Sequence, residues 1–166
     1  GTALCLTLIA AITSWSLTSL FSGRGAFIHF GAMIGTIMAG NVFRVIIPSQ
    51  RALVTAIETG TELDPAWGAK AKLRSTHNNY FTLPLLFIMI SNHYPMTYAH
   101  EHNWLVLLAL VVISAFARHF FNLRHRGVLR PSILVTAAFA TAALAWAVIP
   151  VRTISSTGPM NVISDK

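Results

Sequence analysis

The stretch Trp104-Leu-Val-Leu-Leu-Ala-Leu-Val-Val-Ile-Ser-Ala-Phe-Ala-Arg118-His119-Phe-Phe121 decides the fold. It is apolar without interruption from Trp104 to Ile113, and its charged or titratable residues, Arg118 and His119, come only at its end. A helix that crosses a bilayer needs about 20 mostly apolar residues, and this run has that length. Working outward, Ala3–Phe21, Ala26–Ile47 and Ser132–Pro150 repeat the pattern. A shorter run, Asn79–Ser91, reaches spanning length only if it extends backward through Ser75-Thr76-His77-Asn78. A helix that opens on such polar residues faces protein or water there, not lipid. The expectation is an all-α, polytopic transmembrane helix bundle. About five spans lie near residues 3–21, 26–47, 75–91, 104–121 and 132–150 of a helical domain 1–152, followed by a polar linker over 153–166.

Composition agrees. Hydrophobic residues make up 54% of the chain and charged residues 10%, against roughly 25% charged in ordinary soluble domains. The net charge of +7 does not mark a nucleic-acid surface, because the basic residues sit in short gaps between apolar runs and form no basic face. The single cysteine, Cys5, excludes a disulfide within the chain, and no Cys-x-x-Cys-His haem attachment site is present. The chain opens on Gly1 with no basic segment before its first apolar run. That run is therefore read as a span rather than a signal peptide, and the chain as a piece of a longer protein.

Ser22-Gly23-Arg24-Gly25 reads as a tight turn. Pro48 and Pro131 stand at expected helix boundaries. Between residues 48 and 73, Gln50–Thr59 places Leu53, Val54 and Ile57 at helical spacing, which predicts a short interfacial helix. Thr61–Trp67 reads as turn and loop, and Pro84 predicts a kink within the third span.

Orientation follows from lysine and arginine. The gap 48–74 holds Arg51, Lys70, Lys72 and Arg74, and the gap 122–130 holds Arg124, Arg126 and Arg130. With five spans the two gaps share a side, expected to be cytoplasmic, and the tail after Pro150 falls on the other side. In a Gram-negative bacterium that side is the periplasm.

Polar residues within spans are costly and usually mark function. The histidines form two layers. His29 and His93, with His100 and His102 nearby, lie toward the outside; His77 and His119 lie toward the inside. The outer pair His29 and His93 are candidate haem or metal ligands, since imidazole is a common ligand. The competing reading makes the outer histidines interfacial residues at headgroup level. The inner group is richer: Asn41, Arg44, Gln50, Arg51, His77, Asn78, Asn79, Arg118, His119 and Asn122 approach the inner ends of three helices. Arg118 and Asn122, four apart, share a helix face. Arginine forks, amides and imidazoles suit a planar anionic ligand, so His77, His119 and Arg118 are candidate catalytic residues. Asn41, Gln50, Asn78, Asn79 and Asn122 are candidate substrate-binding residues. Arginines that only snorkel to lipid phosphates are the alternative. The small residues Gly31, Gly35 and Ala39 are read as helix-packing positions.

Longer strings are more specific. Phe21-Ser-Gly-Arg-Gly-Ala-Phe-Ile-His29, the segment from His29 through Gly40-Asn41-Val-Phe43, Val45-Ile-Ile-Pro-Ser-Gln50-Arg51, Arg74-Ser-Thr-His77-Asn-Asn-Tyr-Phe-Thr-Leu-Pro84, Ile90-Ser-Asn-His93-Tyr and Arg118-His119-Phe-Phe-Asn122-Leu-Arg-His125 occur in that order. Together they resemble the C-terminal part of the membrane domain of bacterial cytochrome c-type urate oxidase, also called urate hydroxylase. The resemblance implies a membrane domain of about eight helices followed by a periplasmic cytochrome c domain. It implies oxidation of urate to 5-hydroxyisourate in purine catabolism, with water as oxygen source and a cytochrome c as electron acceptor. Haem c would then sit on a domain absent from this chain; for the electron path across the membrane two solutions stay open, an intramembrane haem b or metal on the histidine layers, or a substrate site nearer the outside. The expected surroundings are urate, cytochrome c and the lipid bilayer of the inner membrane, with no nucleic acid. Two other readings of the residues stay open: a cytochrome b-like membrane anchor that relays electrons, and a purine transporter.

Overall fold

A computed structural model of the chain describes residues 1–149. Every regular element among them is helical: α1 (Thr2–Leu20), α2 (Gly23–Asn41), a π-helical turn (Val42–Ile46), α3 (Ile47–Thr59), α4 (Pro65–Ser91), the short α5 (Pro95–Tyr98), α6 (Asn103–Arg124) and α7 (Pro131–Val148). The fold is an all-α helical bundle. The polar tail expected over 153–166, and the end of the fifth span at Pro150, lie outside the described residues.

Four helical segments are long and apolar enough to cross a membrane: Thr2–Leu20, Gly23–Thr59, Asn103–Arg124 and Pro131–Val148. Their outer faces carry large apolar side chains with no protein cover; Trp146 is 81% exposed and Phe139 73%, as lipid-facing residues would be. Several hydroxyls on these helices are satisfied by their own turns. Thr7, Thr36 and Thr141 each donate to the carbonyl four residues back, so the side chain needs no water.

The remaining expected span, α4, is central. It packs on α6, α2, α3 and the π-turn, while α1 packs on α6 and α2, and α7 on α6. It begins at Pro65 rather than near 75, so Pro65–Trp67 is helix where a loop is expected. The signal is local: Asp64 accepts a hydrogen bond from the Ala66 N–H at 2.8 Å, and Pro65 occupies the first helical position, where its missing N–H is harmless. At 27 residues the helix is about 40 Å long, more than the roughly 30 Å of a bilayer's hydrocarbon core.

Two further expectations change. Pro48 ends nothing: α2, the π-turn and α3 are one continuous helix. Proline cannot donate to the carbonyl four residues back and its ring crowds that position. The wider π-turn, in which the Ile47 N–H reaches the Val42 carbonyl, accommodates the ring without a break. At the other end of α2, Gly23, Arg24 and Gly25 are helical and the turn shrinks to Phe21-Ser22. Neither Gly23 nor Gly25 has positive φ. A side chain on Gly23 would collide with the Tyr98 carbonyl, so this glycine permits close approach to α5. Left-handed glycines do occur where helices stop, at Gly60 (φ 65°), which ends α3, and at Gly127 (φ 79°) beyond α6.

The apolar core sits toward the α5 end. Phe27, Phe30 and Ile34 of α2, Ile88 of α4, Val106 and Leu107 of α6 and Val148 of α7 form it. Gly31 lets α4 approach there, since a side chain on it would overlap Met89, whereas Gly35 and Gly40 face open space.

Candidate functional site

The other end of the bundle, where α3 lies, is polar, and α6 shows how it is built. Leu107, Val111, Ser114, Arg118 and Asn122 are spaced seven, three or four apart and so line one stripe of the helix. Leu107 and Ser114 are buried on that stripe, with the Ser114 hydroxyl bonded to the Leu110 carbonyl. One turn further the same core-facing line becomes Arg118 and then Asn122. Both are half-buried. Arg118 Nε and Asn122 Nδ2 are screened from solvent and have no acceptor among the described residues. An unpaired buried donor costs about 1–3 kcal/mol, and more when it carries charge. The Arg118 guanidinium also lies 6.0 Å from the centroid of the Phe121 ring, close enough for a cation–π contact.

His119, next to Arg118 on α6, is bonded across the bundle to Tyr80 of α4. The Tyr80 hydroxyl lies 2.7 Å from His119 Nδ1, with the two rings stacked at 6.0 Å between centroids. Both residues are half-buried. The available signal was Tyr80's place on the polar opening of α4, three residues after His77. Its partner, 39 positions away, leaves no local trace.

The asparagines separate from this group. Asn41 donates to Asn78 Oδ1 at 2.8 Å, and Asn78 Nδ2 donates to the Met38 carbonyl at 3.0 Å. Asn78 is thus committed at both ends to α2. Two residues apart, Asn78 and Tyr80 point about 200° apart around α4, so one face of α4 binds α2 and another meets α6. Asn79 is half-buried and its side chain makes no hydrogen bond among the described residues. His77 and Gln50 are exposed. Gln50 lies with Arg51 along a shallow groove on α3. The structure therefore brings together Arg118, His119 and Asn122, adds Tyr80, pairs Asn41 with Asn78 elsewhere, and places His77 and Gln50 outside the cluster.

The outer histidines differ in kind. His29 Nδ1 is 2.8 Å from the Gly25 carbonyl. A carbonyl only accepts, so Nδ1 carries the hydrogen and Nε2 keeps its lone pair. The ring stacks on Phe21 at 4.2 Å, and both His29 and His93 are exposed. The His102 N–H donates to His100 Nδ1 at 3.0 Å, tying these two into their own loop. Among the described residues no three His, Cys, Asp or Glu side chains gather to hold a metal ion. With Cys5 alone, the chain has no means of attaching a c-type haem covalently. The described residues thus offer neither a three-ligand metal cluster nor a thioether anchor for haem c; a haem b needs only two axial imidazoles, and His29 and His93 are the candidates for it.

A groove of about 630 Å³ lies away from the polar cluster. It runs between α6 and α7, lined by Leu105, Val112, Ile113, Leu144 and Ala147, with His100 and His102 at its rim. Apart from those two imidazoles its lining is aliphatic. Such a wall offers few polar groups to orient a ligand, in contrast to the polar cluster on α4 and α6.

A family model described as "Urate oxidase N-terminal" matches residues 2–149. No curated protein and no solved structure matches the chain.

Proposed function

Because the chain belongs to the urate oxidase N-terminal family, we propose that the intact protein is a membrane-bound enzyme that oxidises urate to 5-hydroxyisourate and passes the electrons to a cytochrome c. The bundle sits in a bacterial inner membrane, with the α3 end cytoplasmic and the tail after Val148 periplasmic. The observation that carries the reading is the change of the α6 core stripe from Leu107 and Ser114 to Arg118 and Asn122. Charge is placed inside a helical bundle where only a function offsets its desolvation.

The reaction balances as urate plus water giving 5-hydroxyisourate, two electrons and two protons. The oxygen of water bonds to the ring carbon, and the electrons leave to the acceptor. The chain's own residues bind and orient the planar purine anion with Arg118, Asn122 and His119, and a histidine, His77 or His119, takes up a released proton. Purine breakdown supplies urate in the cytoplasm, on the side where Arg51, Lys70, Lys72 and Arg74 would attract an anion.

The test is 5-hydroxyisourate formation and cytochrome c reduction by membranes carrying the intact protein, with His77→Ala, His119→Gln and Arg118→Lys beside the exposed control Arg126→Lys. Turnover lost in the first three and kept in the control is the expected result; no urate oxidation by folded protein would overturn the assignment. The topology is tested by single cysteines at Thr61 and Ser156 after Cys5→Ser, with an impermeant thiol reagent on intact cells. Labelling at 156 alone is expected, and labelling at 61 alone would invert the orientation.

A further inference from the structure

From the hydrogen bonds at the α3 end of α6 we infer that the cluster is a donor-only anion site, in which Tyr80 holds His119 as a hydrogen-bond donor to the bound urate anion rather than as its base. The inference rests on the proposed function and assigns roles within the same site.

The argument is a count of hydrogens. A phenol has one hydrogen to give, and the only partner of the Tyr80 hydroxyl among the described residues is His119 Nδ1. If Nδ1 carried the imidazole hydrogen and donated it, the phenol hydrogen would have no acceptor among the described residues. Tyr80 therefore donates to Nδ1, and the neutral imidazole keeps its hydrogen on Nε2. The hydrogen-bond arrangement differs at His29 and His125, whose Nδ1 atoms face the carbonyls of Gly25 and Phe121. Those carbonyls can only accept, so Nδ1 is the donor there and Nε2 keeps a lone pair.

His119 Nε2–H then joins Arg118, which has donors and no acceptor, and the screened NH2 of Asn122. On α6 these residues fall at about 0°, 40° and 100° in the order Arg118, Asn122, His119, so one arc of one helix presents all three. The missing component is an acceptor-rich anion. The urate anion, with carbonyl oxygens around its edge and a deprotonated ring nitrogen, has that chemistry; so does a lipid phosphate. With His119 a donor, proton uptake falls to another group at this end, of which His77 is the exposed imidazole.

Asn122→Asp distinguishes the alternatives, because it supplies Arg118 with a carboxylate inside the protein. The experiment uses the intact protein in nanodiscs, with its haem reduced beforehand so that bound urate cannot turn over. Equilibrium dialysis of labelled urate and thermal unfolding are then measured together. The expected result is that Asn122→Asp unfolds at the same or a higher temperature yet binds urate at least about tenfold more weakly, the loss of one charge-assisted hydrogen bond. Tyr80→Phe should also weaken urate binding. In histidine-labelled samples it should move the His119 nitrogen resonances away from the Nε2–H tautomer, a signature that a merely structural tyrosine would not control. Unchanged urate affinity in Asn122→Asp, with the parent protein still oxidising urate, overturns this inference and leaves the proposed function standing. A parent protein that oxidises no urate overturns both. If anionic phospholipid, and not urate, raises the unfolding temperature of the parent and not of Asn122→Asp, the acceptor is a lipid phosphate and the inference fails.

Discussion

The two ends of this bundle are made from the same helices and obey opposite rules. Toward α5, the helices meet through Phe27, Phe30, Ile34, Ile88, Val106 and Leu107, and Gly31 and Gly23 exist there to let neighbours come close. Toward α3, the same α2, α4 and α6 meet through Asn41 with Asn78 and Tyr80 with His119, and they leave Arg118 Nε and Asn122 Nδ2 without an acceptor among the described residues. In a bilayer, apolar helix faces gain nothing by leaving lipid for one another, so association rests on packing and on hydrogen bonds. The first end uses packing. The second uses hydrogen bonds and keeps donors in reserve, which is what the proposed binding of an anion there requires.

Substitutions can break that contrast. The largest expected effect is Phe27→Ala at the packed end. Phe27 is fully buried, and removing a buried phenyl group costs about 3–5 kcal/mol. Thermal unfolding in detergent should reveal a large loss of stability, while turnover per folded molecule stays near that of the parent. Arg118→Met should do the reverse. Turnover should fall by the roughly 2–5 kcal/mol expected when a desolvated charged contact is lost. Unfolding temperature should hold or rise, since an apolar side chain replaces a buried charge. If both variants lost stability and activity in parallel, the division between the ends would be false.

Asn78→Ala sharpens the division within the polar end. It removes two hydrogen bonds between α4 and α2 and leaves the Asn41 amide and Met38 carbonyl without them, a loss of about 1–3 kcal/mol. Reduced stability with near-normal urate affinity would place this pair among the structural contacts. A change in affinity without a change in stability would return it to the binding site. The smallest effect is expected for Thr36→Val, because Thr36 bonds only to Ala32 of its own helix. A shift within about 0.5 kcal/mol is expected by unfolding, and a larger one would mean that this exposed face meets a partner.

The sequence by itself determined the helices and the polarity of each end. Apolar run length, Asp64-Pro65 at a helix start and glycine at helix stops are local properties, readable within a turn or two of chain. The same locality explains the errors. A proline at 48 reads as a boundary because the sequence does not reveal that a π-turn will absorb it, and the glycine at 23 reads as part of a turn because the Tyr98 it packs against lies 75 positions away. Arg118 and Asn122 were visible as one helix face, and the stripe they continue from Leu107 and Ser114 could be counted out by hand.

Only the tertiary structure decided which polar residues meet. The rotation of α4 sends Asn78 toward α2 and Tyr80 toward α6, leaving His77 exposed. That facing is held by contacts between residues distant in the chain, Asn78 with Asn41 and Tyr80 with His119, while Ile88, Leu107 and Phe27 pack the other end of the bundle. The partners at the polar end therefore depend on which helices become neighbours, and no window of sequence contains that information.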